Sequence, residues 1–415
     1  MDKIIKMIVR YWGWLATGQR FEEATVARVF DCDQHMYETE DAFTRHIAPE
    51  WATRTVKPVK MHDGTDAILM GERLLVAVEA EFHKAYKPGS LKEMLKQMST
   101  GAPAETYMFE DMRTEYQNRD ARLAEMDRQG LDGTIMYPGS WGLMAEAHMS
   151  DKPDMLFANL HSFNLYMDEE WGYAYQNRIF APATLSLRDV DKAVEELEFV
   201  LDRGARFILL PTGPAYGRSP GDPYFDPFWS RVNEAKATVC FHITENYYNA
   251  QLAPAWGHDP DPIHFRMSAW QWQHTYGERP IQETVSALIF DNLFGRFPNI
   301  QVLASEFGAS WVPHFVTHMD KSRGMGRNGP WIGGPLAERP SQVFRHHVRV
   351  VPYPEDNPVE IIRQLGFHES IVMGSDWPHA EGLAEPADFR KLLDGLDESA
   401  KDDIMYNTGA GLVAR

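Results

Sequence analysis

The chain has 415 residues, 44% of them hydrophobic, too apolar for a disordered chain and long enough for several average domains or one enlarged barrel. Its 41 Lys and Arg against 60 Asp and Glu leave a net charge of −19, which repels phosphate backbones and argues against nucleic acid as a partner. Two cysteines, Cys32 and Cys240, give no disulfide framework and point to a reducing, cytoplasmic setting.

The longest apolar runs are strand-sized, short of the ~20 residues of a spanning helix, so no membrane partner is expected. Residues 1–25 begin like a signal peptide, but Lys6 and Arg10 interrupt the apolar run. Met7, Tyr11 and Leu15 fall at helical spacing, which predicts an N-terminal helical segment packing on the body or on another subunit. A peripheral membrane anchor is the alternative.

Beyond it, short β-rich runs alternate with helical ones. Val26–Asp33 and Gly133–Tyr137 read as strands, separated by a long excursion over 36–116 that contains a Gly-centred hairpin at Ala67–Val78. Asp120–Gln129 reads as a helix stopped by Gly130. The rhythm then turns regular: strand Ile179–Ser186, helix Asp189–Arg203, strand Arg206–Pro211, helix Phe225–Lys236, strand Thr238–Ile243. A Trp- and His-rich stretch over 246–279 interrupts it. Helix Thr284–Phe294, strand Asn299–Glu306, a helix from Trp311, strand Phe344–Val351, helix Val359–Leu365 and strand Ser370–Ser375 follow, then two more helices beyond Asp388.

Eight strands separated by helices, with no Gly-rich phosphate fingerprint after the first, predict an α/β fold. The expected architecture is a (β/α)8 TIM barrel over 26–415, with lid insertions at 36–116 and 246–279 after strands one and five.

Such barrels carry their chemistry at the C-terminal ends of the strands. Those ends hold Asp31, Asp33 and His35 on the first strand, His242 on the fifth, Glu306 on the sixth, and Asp376 with His379 on the eighth. Alternation along the first strand predicts that Asp31, Asp33 and His35 share one face while Cys32 points away from the barrel interior. Oxygen and imidazole donors without thiolate suit Zn²⁺, Mn²⁺ or Fe²⁺. Burying such groups without a cation is costly, so a bound divalent metal is the expected reading. His258, His264, Arg266, Trp270, Trp272 and His274 fit an aromatic pocket wall or an oligomer contact; Arg54 and Arg218 are candidates to pair with a substrate carboxylate.

Five stretches carry a family resemblance: Arg122–Pro138 (RLAEMDRQGLDGTIMYP), Pro223–His242 (PYFDPFWSRVNEAKATVCFH), Phe294–Pro313 (FGRFPNIQVLASEFGASWVP), Met373–His379 (MGSDWPH) and the closing Asn407 to Leu412. Together they resemble the amidohydrolase superfamily, in its aminocarboxymuconate-semialdehyde decarboxylase branch, from Val26 to Leu412. The resemblance implies that Asp33, His35, His242 and Asp376 hold one divalent metal, with Zn favoured over Mn or Fe. Two departures stand out. Members usually show His or Glu where this chain has Asp33, and the decarboxylases carry a catalytic His where it has Glu306. Glu306 is therefore either a general acid/base or a ligand of the metal or of a second ion. Asp31 is expected to orient a ligand, and His379 to bind substrate or relay protons.

The implied activity is metal-dependent hydrolysis of a small organic substrate through a metal-activated water, with Glu306, Asp376 and His379 as catalytic groups. Non-oxidative decarboxylation of a small carboxylic acid is the alternative; the carboxylate at 306 tilts the reading toward hydrolysis. A dinuclear Fe or Mn oxygenase and a barrel kept as a scaffold are the rivals from other classes. The family habit also implies a homo-oligomer.

Overall fold

The computed structural model describes residues 28–62, 64, 66–75, 84–101, 109–245, 248–262 and 267–413. The expected N-terminal helix, the first two residues of the first strand, the hairpin beyond residue 75, His264 and Arg266 lie outside them.

Strand β1 (Phe30–His35) is buried along its whole length. Two small antiparallel sheets follow it: β2 (Lys57–Lys60), β3 (Asp66–Met70) and β4 (Arg73–Leu75) form one, β5 (Lys84–Tyr86) and β6 (Phe109–Asp111) the other. The β3–β4 turn is the expected hairpin, with Gly71 at φ +64°. The helix Arg119–Gln129 is capped by Asn118, whose Oδ1 accepts from the N–H groups of Asp120 and Ala121, and it ends at Gly130 at φ +76°. It returns the chain to β7 (Gly133–Tyr137), parallel to β1, with His35 opposite Tyr137.

The third strand position is split into β8 (Ile179–Phe180), bonded to β7, and β9 (Ala183–Thr184), bonded to β10 (Phe207–Leu209). Pro182, which has no N–H to donate, stands at the break. From β10 the ladder continues in parallel through β11 (Thr238–His242), β12 (Gln301–Ser305) and β13 (Val348–Val350). The expected strand at Phe344–Val351 is shorter than that. The helix Pro340–His347, opened by its proline and buried at Phe344, consumes the first four residues.

The parallel strands thus fall into sheets of three and five, and the expected single eight-stranded ring is not a continuous sheet. The predicted strand Ser370–Ser375 makes isolated bridges instead of a ladder. Ile371 pairs with Val350 on one side and Trp377 with Gln34 on the other. Cys32 N–H also donates to Met373 O (3.0 Å) and His35 N–H to Trp377 O (2.8 Å), so this segment links the two sheets. The left-handed Asp376 (φ +55°) interrupts its extended run.

The larger core cluster lies between strands and helices. The smaller one gathers Phe30, Cys32, Ile135, Phe207, Cys240 and Leu303 from the other strand face and is capped by Leu412. Cys32 therefore packs inside, not away from the interior. The register of β1 against β7 slips between Asp31 and Gln34, and this bulge breaks the strict alternation assumed from sequence. It turns Asp31 toward Ser375 while Asp33 and His35 reach the strand ends together. After β11, the short helices Tyr248–Leu252 and Ala269–Thr275 lead into Glu278–Phe290. The tail is a 3₁₀ segment, Pro386–Leu393, then short helical turns through Gly411. No helix among the described residues is long and apolar enough to cross a membrane.

Candidate metal centre

His35 ends β1 and His242 ends β11, and both rings are buried. His35 Nδ1 lies 2.9 Å from Pro138 O, and His242 Nδ1 lies 2.9 Å from Ile243 O. Carbonyl oxygens only accept, so each ring carries its proton on Nδ1 and presents an Nε2 lone pair to the other, 3.0 Å away. Asp33 Oδ1 stands 3.5 Å from both Nε2 atoms. Neither oxygen of this fully buried carboxylate has a hydrogen-bond partner among the described residues. Acceptors converging on one point with no donor between them repel, and a cation removes the repulsion. The residues fit a divalent metal held by Asp33, His35 and His242.

Asp376 and Glu306 border the same point. Asp376 Oδ1 is 3.5 Å from His35 Nε2, and Glu306 Oε2 is 3.3 Å from His242 Nε2. Ligand atoms of His35, Glu306, Asp376 and His379 all lie within 4.8 Å of one another. Both acids sit at left-handed backbone positions, φ +59° and +55°, which for residues other than glycine is a strained geometry that concentrates at functional sites. His379 Nδ1 is 2.7 Å from Asp376 Oδ1, and its ring stacks on His35 with centroids 4.1 Å apart.

The charges are set by these surroundings. Burial, then His379, lowers His35 to about 3, so this imidazole is neutral at neutral pH. Burial pushes Glu306 and Asp376 well above the carboxylate range, reinforced at Glu306 by Asp376 and Glu381, and at Asp376 by Glu381 and Asp33.

Beneath the ligands, Asp31 clamps the two strand ends. Its Oδ1 accepts from the N–H groups of Asp33 (3.1 Å) and Ser375 (2.9 Å), and its Oδ2 from Ser375 Oγ (2.6 Å) and Gln34 Nε2 (3.1 Å). Arg122, fully buried, donates to Gln34 Oε1 (3.2 Å), to His35 O (2.8 Å) and to Glu115 O (2.8 Å), with its guanidinium 4.5 Å from the Trp377 ring centroid. Tyr137 packs against both imidazoles, its ring centroid 5.8 Å from that of His35 and 4.8 Å from that of His242, and pairs its hydroxyl with Ser305 Oγ at 2.9 Å.

The sequence-predicted set Asp33, His35, His242, Glu306, Asp376 and His379 therefore comes together, with Asp31 behind it. Arg54 and Arg218 do not join it: Arg54 faces Glu72 and Trp51, and Arg218 faces Asp222 and Tyr224. Trp270 stacks with His258 and packs on His274 and Trp256 in a separate aromatic group. Arg122, Tyr137 and Glu381 were missed. Arg122 sits in a helix of ordinary polar pattern, and only its complete burial distinguishes it.

Parallel strands whose C-terminal ends converge on such a donor set define an α/β fold with a candidate metal site at the strand ends. The amidohydrolase family profile matches residues 30–412, and the chain belongs to that family. A solved amidohydrolase from Mycobacterium avium subsp. paratuberculosis K-10 is 32% identical, with a TM-score of 0.82, over 93% of this chain and 97% of that one. A dihydroxybenzoic acid decarboxylase from Polaromonas sp. JS666, with bound manganese and 2-nitroresorcinol, is 15% identical, with a TM-score of 0.60, over 93% of this chain and 97% of that one. A 5-carboxyvanillate decarboxylase from Sphingomonas paucimobilis is 16% identical, with a TM-score of 0.58, over 94% of this chain and 99% of that one. At such identities these two share the fold. No curated protein matches significantly. Family membership implies a TIM barrel and an enzyme of hydrolase or decarboxylase type, and a His/Asp metal site is compatible with it.

Proposed function

We propose that the chain is a metal-dependent hydrolase of a small organic substrate, acting on an amide, an ester or a C–C bond next to a carbonyl. In this reading Asp33, His35, His242 and Asp376 hold the metal, and the two bonded sheets act as one barrel around it. The observation that supports it is the pair of facing Nε2 lone pairs at 3.0 Å beside the unpartnered Asp33 carboxylate. A bound divalent cation supplies Lewis acidity to a carbonyl and to water.

The remaining work falls to this chain's own groups. Hydrolysis needs one group to take a proton from water and another to give one to the leaving atom. The Asp376–His379 pair, 2.7 Å apart, suits the first role, since the imidazole can pass the proton outward. Glu306 suits the second, because burial and Asp376 favour its protonated form. That same protonated Glu306 favours a second reading, non-oxidative decarboxylation, in which it delivers a proton to carbon as CO₂ leaves. The same proposal takes Zn²⁺, with Mn²⁺ or Fe²⁺ as substitutes, and a homo-oligomer, which light scattering checks.

Metal analysis of the purified chain, followed by assay of the Zn- and Mn-loaded forms on aryl amides, aryl esters and hydroxybenzoates, tests both readings. Metal-dependent amine or alcohol release supports hydrolysis; bicarbonate release transfers the assignment to decarboxylation. Retention of metal and activity by His242→Ala and Asp376→Asn sinks the site itself.

A further inference from the structure

Glu306 follows β12 directly, and its backbone takes the left-handed conformation, φ +59°. For a residue with a Cβ, that conformation persists only where the surroundings over-determine it. Here they belong to the loop that follows β13. Tyr353 of that loop donates its hydroxyl proton to Glu306 O at 2.8 Å.

Asp356 ties the two loops together. Its Oδ2 accepts from Ala309 N–H (2.7 Å) and from Tyr353 N–H (2.9 Å), and its Oδ1 takes the Ser310 hydroxyl. Gly308, itself left-handed at φ +65°, makes room for the tyrosine ring: a Cβ there would stand 2.5 Å from Tyr353 Cδ2 and 2.7 Å from its Cε2. Trp311 Nε1 closes the turn on Gly308 O at 2.9 Å. None of these groups belongs to the donor set around His35 and His242.

The consequence lies at the other end of Glu306. A residue that turns left-handed at a strand end redirects its carbonyl and its Cα–Cβ bond together, so a hydrogen bond that holds the carbonyl also holds the direction of the side chain. In this turn Glu306 Oε2 stands 3.3 Å from His242 Nε2. We propose that Tyr353, braced by Asp356, is the positioning residue for Glu306: its hydroxyl fixes the left-handed turn that aims the Glu306 carboxyl at the reacting atoms. The inference rests on Glu306 as proton donor, and it applies to hydrolysis and to decarboxylation alike.

The metal-loaded chain is assayed on 4-nitroacetanilide, whose leaving nitrogen needs a proton, and on 4-nitrophenyl acetate, whose phenolate departs without one. Tyr353→Phe keeps the ring against Gly308 and removes only the hydroxyl. Its kcat on the anilide should fall ~10- to ~100-fold with KM and metal content unchanged, and this loss should exceed the loss on the ester by at least ~5-fold. In the Glu306→Gln background the same substitution should add less than ~2-fold, because no donor is left to aim. A tyrosine that merely stabilised the fold would depress both substrates and both backgrounds alike.

Hydrogen exchange read by mass spectrometry is independent of turnover. The peptide carrying Phe307 and Gly308 should exchange ~3- to ~10-fold faster in Tyr353→Phe, as one lost hydrogen bond predicts, with the β11 peptide unchanged. Gly308→Ala, which displaces the ring, should do the same. Equal losses on anilide and ester, or unaltered exchange, overturn the proposal and leave Glu306 as the donor. Full anilide turnover by Glu306→Gln, or no metal-dependent turnover at all, overturns Glu306 as the donor, and the exchange result then decides alone whether Tyr353 sets its turn.

Discussion

Replacing Arg122 by Met tests whether the metal ligands are held from beneath. The guanidinium serves two buried acceptors, Gln34 Oε1 and His35 O, and the half-buried Glu115 O, and it stacks on Trp377. Each buried acceptor left without a donor costs ~1–3 kcal/mol, and the lost stacking adds ~1 kcal/mol. Against that gross loss, removing a buried charge returns part of the energy, because burial disfavours the charged form and lowers this guanidinium to about 9. The net expectation is a destabilisation of about 3 kcal/mol, at the lower edge of what breaking a buried charged contact costs. The second consequence is local. Gln34 and His35 belong to β1, so the ligand His35 and the Asp31 clamp both lose a support, and metal affinity should fall ~10- to ~100-fold. Urea denaturation reports the first effect and competition with a chromogenic chelator the second. Arg122→Lys keeps the charge but not the planar fork, and should recover only part of either. If Arg122→Met matched the wild type in both urea midpoint and metal affinity, the supporting role would be refuted.

Other consequences can be checked as directly. A methyl group at Gly374 would stand 2.5 Å from Val351 Cγ1 and 2.8 Å from Asp33 Cβ, so Gly374→Ala should displace Asp33; elemental analysis is expected to show metal loss without global unfolding by circular dichroism. Glu306→Gln keeps the shape but carries no transferable proton. Its kcat should fall ~100- to ~10,000-fold with metal content unchanged, whereas a fall in metal content would mark Glu306 as a ligand. Burial raises the Glu38 carboxyl to about 7, against the hydrogen bond from Gly142 N–H at 2.8 Å. The folded chain therefore holds this proton at pH values where the unfolded chain has released it, and the contribution to stability declines as pH rises toward 7 and beyond. Glu38→Gln should raise Tm more at pH 8 than at pH 5; an equal gain at both would refute the assignment.

Much of the site was legible because strand ends announce themselves. Short apolar runs closing in His or Asp placed Asp33, His35, His242 and Asp376 at the same end of parallel strands, and the imidazoles meet at 3.0 Å. What stayed hidden depends on register and on tertiary burial. The slip in β1 cannot be read from FDCDQH, so Cys32 was assigned to the wrong side. Phe344–His347 carry β-branched and aromatic neighbours that suit a strand, but only packing decides that this turn is helical. Nothing in their spacing singles out Arg54 and Arg218 as partners for a carboxylate, and both lie on surface ion pairs.

The clamp between Asp31 and Ser375 also has a history within each molecule's synthesis. The two residues are 344 positions apart. At ribosomal rates of roughly 5–20 residues per second, the strand bearing Asp33 and His35 waits on the order of half a minute for the segment that fixes it. During that interval its acids and imidazoles are loose donors in a nascent chain, open to any passing ion. On the metal-dependent reading proposed above, selection of the cation would belong to the final moments of assembly, when Asp31 takes hold of Ser375 and the donor set acquires its spacing.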